Sequence, residues 1–210
     1  MAKIKTAEKI LMGATRLFAQ HGYDGAIMDD LAEQCGVNKA SIYYHHKDKI
    51  TLYEHCLEAL FTPIVDAIIV AVEQESGAQD KLAMHINTFA KESAAKPYFA
   101  AILMREMASG GTNLPVLART QMQRILRLLK QVLAQGVDEK VFKKTEPLIV
   151  HFMIVGTINL FVATIPLRNA LAMEEGCQSL KVSNVKPVGK QLAKTIIRSL
   201  LTDVTHPMPP

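Results

Sequence analysis

Apolar residues recur at helical spacing along this chain. Ile10, Leu11, Ala14, Leu17 and Phe18 lie at offsets of one, four, seven and eight, a single face that predicts a helix over residues 6–21. Gly22 stops it at the usual C-terminal position. Met28, Leu31, Ala32 and Cys35 predict a second helix over 28–35, with Asp29 and Asp30 in its first turn, where the helix dipole favours negative charge. Gly36 supplies a turn and Asn38 caps a short third helix over 39–45, whose inward side is Ile42, with Val37 packing just before it. A fourth begins near Asp48, itself a cap. Ile50, Tyr53, Cys56, Leu57, Leu60 and Phe61 carry its stripe to Pro63, which marks a kink or a boundary.

Beyond Pro63 the pattern predicts helices over 63–75, 80–95, 97–108, 114–135 and 145–171, and a last one over 186–203. Ser109-Gly110-Gly111 and Gly136 end helices, Thr145 caps ahead of Pro147, and Ser183 or Asn184 caps ahead of Pro187. The closing His-Pro-Met-Pro-Pro cannot continue a helix. The fold class is all-α: an N-terminal three-helix helix-turn-helix domain over 1–62 and a larger helical domain over 63–210. At 210 residues, 49% of them apolar, the chain has enough material for a core in each.

Charge sharpens the reading of the first domain only through its placement. Through Leu60 there are seven Lys or Arg against eight Asp or Glu, a net of −1, which by itself does not suggest nucleic acid. Yet Lys39, Lys47 and Lys49 cluster with Ser41, Tyr43, Tyr44 and His45, and Lys3 and Lys5 form a basic arm. Two short helices joined by a glycine turn, the second capped and carrying Lys39, Ala40, Ser41, Tyr43, Tyr44 and His45 outward, have the layout that enters a DNA groove.

Other chemistry finds little footing. Cys35, Cys56 and Cys177 are odd in number and lack C-x-x-C spacing, which argues against a disulfide framework or zinc site and for a reducing, cytoplasmic setting; no secretory signal opens the chain. His45 and His46, with His55 and Cys56 nearby, invite a metal reading, but adjacent helical residues point about 100° apart, so no metal is expected. No nucleophile elbow, metalloprotease signature, P-loop or dinucleotide fingerprint is present, so neither catalysis nor a cofactor is expected. The 21 residues 147–167 carry no Asp, Glu, Lys or Arg and are long enough to cross a bilayer. A membrane-anchored helical protein using Pro147 to Leu167 as its span is therefore the alternative reading, with an enzyme in the helical domain behind it. His151, Thr157, Asn159, Thr164 and Pro166 within the stretch favour burial inside a protein, and no membrane partner is expected.

The ordered pattern Gly22-Tyr23-Asp24, Met28-Asp29-Asp30-Leu31-Ala32, Cys35-Gly36-Val37 and Lys39-Ala40-Ser41-Ile42-Tyr43-Tyr44-His45 resembles the TetR/AcrR family of one-component transcriptional regulators over residues 6–55. The resemblance implies a DNA-binding regulator, a ligand-responsive repressor bound to a palindromic double-stranded operator. Lys39, Ala40, Ser41, Tyr43 and Tyr44 would lie near bases and phosphates, and His45 and Lys49 would hold the backbone. The chain departs from the family in two respects. Ala26 and Ile27 stand where Thr or Ser usually caps helix two, and His46 stands where an aromatic is common.

The resemblance also implies that the larger domain encloses an effector pocket and pairs with a second copy. Met84, Phe89, Tyr98, Met104, Arg105 and Met122 are the candidate lining for a small, largely apolar effector. The helices over 145–171 and 186–203 would form a four-helix homodimer interface. That would set two recognition helices roughly 34–36 Å apart, and effector binding would change the spacing to release DNA.

Overall fold

A computed structural model describes residues 5–181 and 185–202, and among these the architecture is entirely helical apart from an isolated antiparallel bridge between Phe142 and Leu201. The helices are α1 (Thr6–Gly25), α2 (Met28–Cys35), α3 (Lys39–His46), α4 (Lys49–Glu73), α5 (Ala78–Ala95), α6 (Pro97–Ala108), α7 (Val116–Asp138), α8 (Pro147–Ala163), α9 (Ile165–Leu171) and α10 (Val185–Leu200). Lys3, the Ser183 and Asn184 caps and the closing proline-rich run lie outside the described residues.

The helices form two units. The first holds the residues through Pro63 together with Lys96–Gln121, and the second holds Ile64–Ala95 and the residues from Met122 onward. The chain leaves the first unit after Pro63, and α6 and the start of α7 return to it. Specific contacts hold them there: Arg105 Nε donates to Ala19 O at 2.9 Å, Phe61 and Phe99 meet edge to face at 4.8 Å, and Gln121 of α7 donates from Nε2 to Thr62 Oγ1 at 3.2 Å. Ile10, Leu17, Phe18, Leu31, Ile42, Leu52, Tyr53 and Leu57 form the interior of this unit. In the second unit Ile64, Ile68, Leu82, Ile86, Leu129, Ile154, Ile158 and Ile196 are buried. Gly189 lets α10 approach α5 closely, since a Cβ there would overlap that of Ala90.

Several local expectations are met and others are replaced. Gly22 takes φ 73° and interrupts the helical path within α1, and Asp48 Oδ1 accepts from Thr51 N at 2.8 Å to start the fourth helix. Pro63, however, does not end α4. Its ring is exposed while Leu60, Phe61, Ile64 and Val65 are buried around it, and that burial carries the helix through the missing hydrogen bond. Gly136 likewise does not stop α7, which runs on to Asp138; it permits close packing, since a Cβ there would collide with the Phe142 ring. Glu146 rather than Thr145 caps α8, accepting from Leu148 N at 3.3 Å. The expected helix over 145–171 breaks at Thr164 into α8 and α9, bent by 56°, because Pro166 cannot donate to the helical ladder.

Candidate nucleic-acid interface

The turn between α2 and α3 is built by two residues. Gly36 adopts φ 56°, ψ 40°, a left-handed conformation that costs glycine little, and its N–H closes α2 onto Glu33 O at 3.0 Å. Asn38 then accepts from Ser41 N through Oδ1 at 2.7 Å, satisfying one of the orphan donors at the start of α3. No side chain caps α2, whose N-cap position is Ile27, as the substitution of Ala26 and Ile27 for hydroxyl residues implies.

Two side chains anchor α3 inward, Ile42 and His46. That leaves Lys39, Ala40, Tyr43, Tyr44 and His45 exposed and Ser41 half-buried. Tyr44 is 85% exposed and Tyr43 38% exposed, so neither ring is a core residue. The Tyr44 ring rests edge-on against His45 at 5.1 Å. Lys39 Nζ pairs with Asp29 Oδ2 at 2.8 Å, a bond that raises the ammonium pKa and keeps it charged. Lys49 donates to Asp24 O at 3.3 Å and lies 4.8 Å over the Tyr23 ring, so its charge is held beside the end of α1. Together these groups offer a small-residue opening at Ala40, two exposed aromatic faces, hydroxyl donors and positioned cations, the set that reads base edges and phosphates.

His46 is the residue whose surroundings the sequence left open. It is 6% exposed, and its Nδ1 lies 3.0 Å from His55 Nδ1 on α4, so one ring donates and the other accepts. Burial, then the nearby His55, hold His46 below the ordinary histidine pKa. Among the described residues no three His, Cys, Asp or Glu converge as a metal site.

The six candidate pocket residues are divided between the two units. Met84 and Phe89 on α5 and Met122 on α7 belong to the second unit, and Tyr98, Met104 and Arg105 on α6 belong to the first. Met84 lines a groove of about 840 Å³ with Ala67, Val70, Ala71 and Thr88, whereas Phe89 is buried core. Tyr98 lines a separate cleft of about 400 Å³ with Lys9, Met12, Arg16 and Cys35. Arg105, expected in the pocket, instead donates from Nε and Nη2 to the carbonyls of Ala19 and Gln20. Sequence spacing did not reveal the bond from Tyr53 to Glu106, since the partners lie 53 residues apart.

Residues 10–56 match the model of "Bacterial regulatory proteins, tetR family", and residues 58–171, more than half of the chain, match that of the "YsiA-like protein, C-terminal region". The chain belongs to the tetR family. A tetR-family protein is a DNA-binding transcriptional regulator and not an enzyme, and α2, the Gly36 turn and α3 are its helix-turn-helix. Among curated proteins it is 28% identical, over 66% of this chain and 73% of the other, to the biofilm operon icaADBC HTH-type negative transcriptional regulator IcaR of Staphylococcus aureus strain Newman. Among solved structures, the ketosteroid transcriptional regulator KstR2 of Mycobacterium tuberculosis matches with a TM-score of 0.77 at 16% identity, over 96% of this chain and 98% of the other. FadR of Bacillus subtilis, solved in complex with stearoyl-CoA, matches with a TM-score of 0.66 at 18% identity, over 91% and 98%. At these identities the structural matches speak to the fold of this tetR-family chain, an N-terminal helix-turn-helix followed by a helical C-terminal region.

Proposed function

We propose that the protein is a cytoplasmic, homodimeric repressor that binds a palindromic operator and is released by a small, largely apolar effector. The observation that carries the DNA-binding assignment is the Asn38-capped α3, which turns Lys39, Ala40, Ser41, Tyr43, Tyr44 and His45 outward while Lys49 is held beside it. Repression is supported by the likeness to IcaR, named a negative regulator. An apolar effector is supported by the neighbours named for a ketosteroid and bound to stearoyl-CoA. In this chain we assign effector contacts to Met84, Phe89 and Met122 in the second unit; the other candidates, Tyr98, Met104 and Arg105 of α6, lie in the first.

Homodimerisation is supported by α8. It buries Val150, Ile154, Ile158 and Val162 within the second unit yet exposes Leu148, Ile149, Phe152, Met153 and Leu160. Such a two-sided apolar helix is accounted for by pairing with its own copy, and this reading replaces a membrane span for residues 147–167. The deciding experiment is binding of the purified full chain to DNA upstream of its own gene. A specific complex containing two copies, weakening steeply with salt, is expected; a monomer with no sequence preference sinks the proposal.

A further inference from the structure

We propose that the effector carries neutral hydrogen-bonding groups, hydroxyls or carbonyls spaced along an apolar frame, that complete side chains buried on α5 and α8: His85, Ser93, His151 and Asn159. The inference deepens the reading of the second unit as an effector domain and rests on it.

The two helices pack together in the second unit, and their inward sides are otherwise apolar, with Leu82, Ile86, Phe89 and Ala90 on α5 and Val150, Ile154, Ile158 and Val162 on α8. Each nevertheless buries two polar side chains eight residues apart, with exposures of 2% and 0% for His85 and Ser93 and 8% and 1% for His151 and Asn159. Seven buried side-chain nitrogen or oxygen atoms among the described residues lack a hydrogen-bond partner. Five of them are here: His85 Nδ1, Ser93 Oγ, His151 Nδ1, and both Asn159 Nδ2 and Oδ1. An orphaned buried polar atom forfeits its hydration without a replacement, so the set opposes folding unless something completes it. Apolar residues of similar volume would pack these positions without that cost. The concentration of orphans on two packed helices marks a place built to be completed.

The chemistry of the set selects the ligand class. Burial pushes His85 down to about 4, with the neighbouring His151 adding to the effect, and burial also lowers His151, so both rings are neutral near neutral pH. A neutral imidazole offers one donor and one acceptor, Asn159 offers both, and Ser93 offers a hydroxyl. This mixture suits neutral hydrogen-bonding groups. A carboxylate or phosphate calls for a positioned cation, but α8 carries no Lys or Arg, and Lys186, Lys190, Lys194 and Arg198 of α10, which packs on both helices, are exposed at the surface. The two lysines of α5 are engaged elsewhere, Lys81 with Gln135 Oε1 at 2.8 Å and Lys91 with Glu92 at 3.7 Å.

The test titrates the full-length protein by calorimetry near neutral pH with 1-decanol, 2-decanone and decanoate, and measures thermal shifts with each. The alcohol or the ketone is expected to bind at least about tenfold more tightly than decanoate, and Asn159→Leu to erase that preference while leaving the melting temperature equal or higher. Ser93→Ala, which removes one atom, should weaken the same probe and serves as the readout if the larger change fails to fold. Preference for decanoate overturns the proposal. So does absence of binding by all three, or retention of the preference in both variants, which would leave ordered water as the partner of the four side chains. The same preparation is assayed for DNA binding. A DNA complex without probe binding rejects the effector chemistry alone, whereas loss of both rejects the regulator reading.

Discussion

Tyr53 Oη donates to Glu106 Oε1 at 2.6 Å inside the first unit, joining α4 to α6 through a buried carboxyl. Burial and then this bond raise the Tyr53 pKa, so the phenol keeps its proton and remains the donor. Tyr53→Phe strands the Glu106 carboxyl in an apolar interior and is expected to cost about 2–3 kcal/mol in urea unfolding. Tyr53→Phe combined with Glu106→Leu should recover a large part of that loss, because no polar group is then left unsatisfied. A double variant as unstable as the single one would show that packing of the phenol, and not the bond, holds the helices together.

Acid sensitivity follows from the buried histidines. A histidine whose folded pKa lies below its unfolded one takes up a proton on unfolding, so acid favours the unfolded chain. Stability is then intact above about pH 6.5 and is lost as pH falls through that value toward about 4, the value to which His85 is pushed. Across that window His85 accounts for about 3 kcal/mol, and His151 and His46 act in the same direction. Denaturant unfolding at a series of pH values should show the decline, and His85→Phe should flatten it. A curve with the same slope in the variant would place the sensitivity elsewhere.

His46 offers a separate test in the first unit. The ring occupies an inward position of α3, 3.0 Å from His55, where an apolar aromatic needs no hydrogen bond, and its burial disfavours the protonated form. We expect His46→Phe to stabilise the helix-turn-helix and to make DNA binding less sensitive to acid between about pH 7 and pH 5.5. DNA titrations of the two proteins at both pH values give the answer, and an unchanged acid sensitivity would exclude this pair as its source.

The first 60 residues were legible because their signals are local. The caps at Asn38 and Asp48 and the turn at Gly36 lie within a few residues of the backbone groups they satisfy, and the structure shows each in that role. Legibility failed where tertiary contacts override local chemistry. Gly136 looks like a stop, but its missing Cβ makes room for Phe142; Pro63 looks like a helix end, but apolar residues on both sides bury and hold the helix through it, while the chain does leave the first unit after that residue. The solvent-facing positions of α3 could be named from the sequence, since those of a short capped helix follow from its one apolar anchor, Ile42. The effector residues could not, because methionine and phenylalanine spacing does not tell a pocket wall from a core. The division of the six candidates between two units depends on α6 returning to the first, through partners as distant in sequence as Arg105 and Ala19.

Tyr44 and Lys39 separate the recognition surface from the fold that carries it. Tyr44 is exposed and its aromatic neighbour on the same helix is His45, so Tyr44→Ala should leave the melting temperature within about 1 °C of the parent. The same change should weaken the operator complex by roughly 1–3 kcal/mol if the ring meets a base or a thymine methyl. Lys39→Ala removes a pair with Asp29 that is open to solvent and stabilises the fold little. Its effect belongs in the salt dependence. If Lys39 neutralises a phosphate, the slope of log affinity against log salt should decrease in magnitude by about 0.9 for each phosphate no longer neutralised, twice over in a homodimer. If it reads guanine, the weakening should depend on operator sequence. Titrations of both variants against operator and scrambled duplexes at several salt concentrations resolve the two roles. A Tyr44→Ala protein that binds its operator as the parent does would remove that ring from the interface.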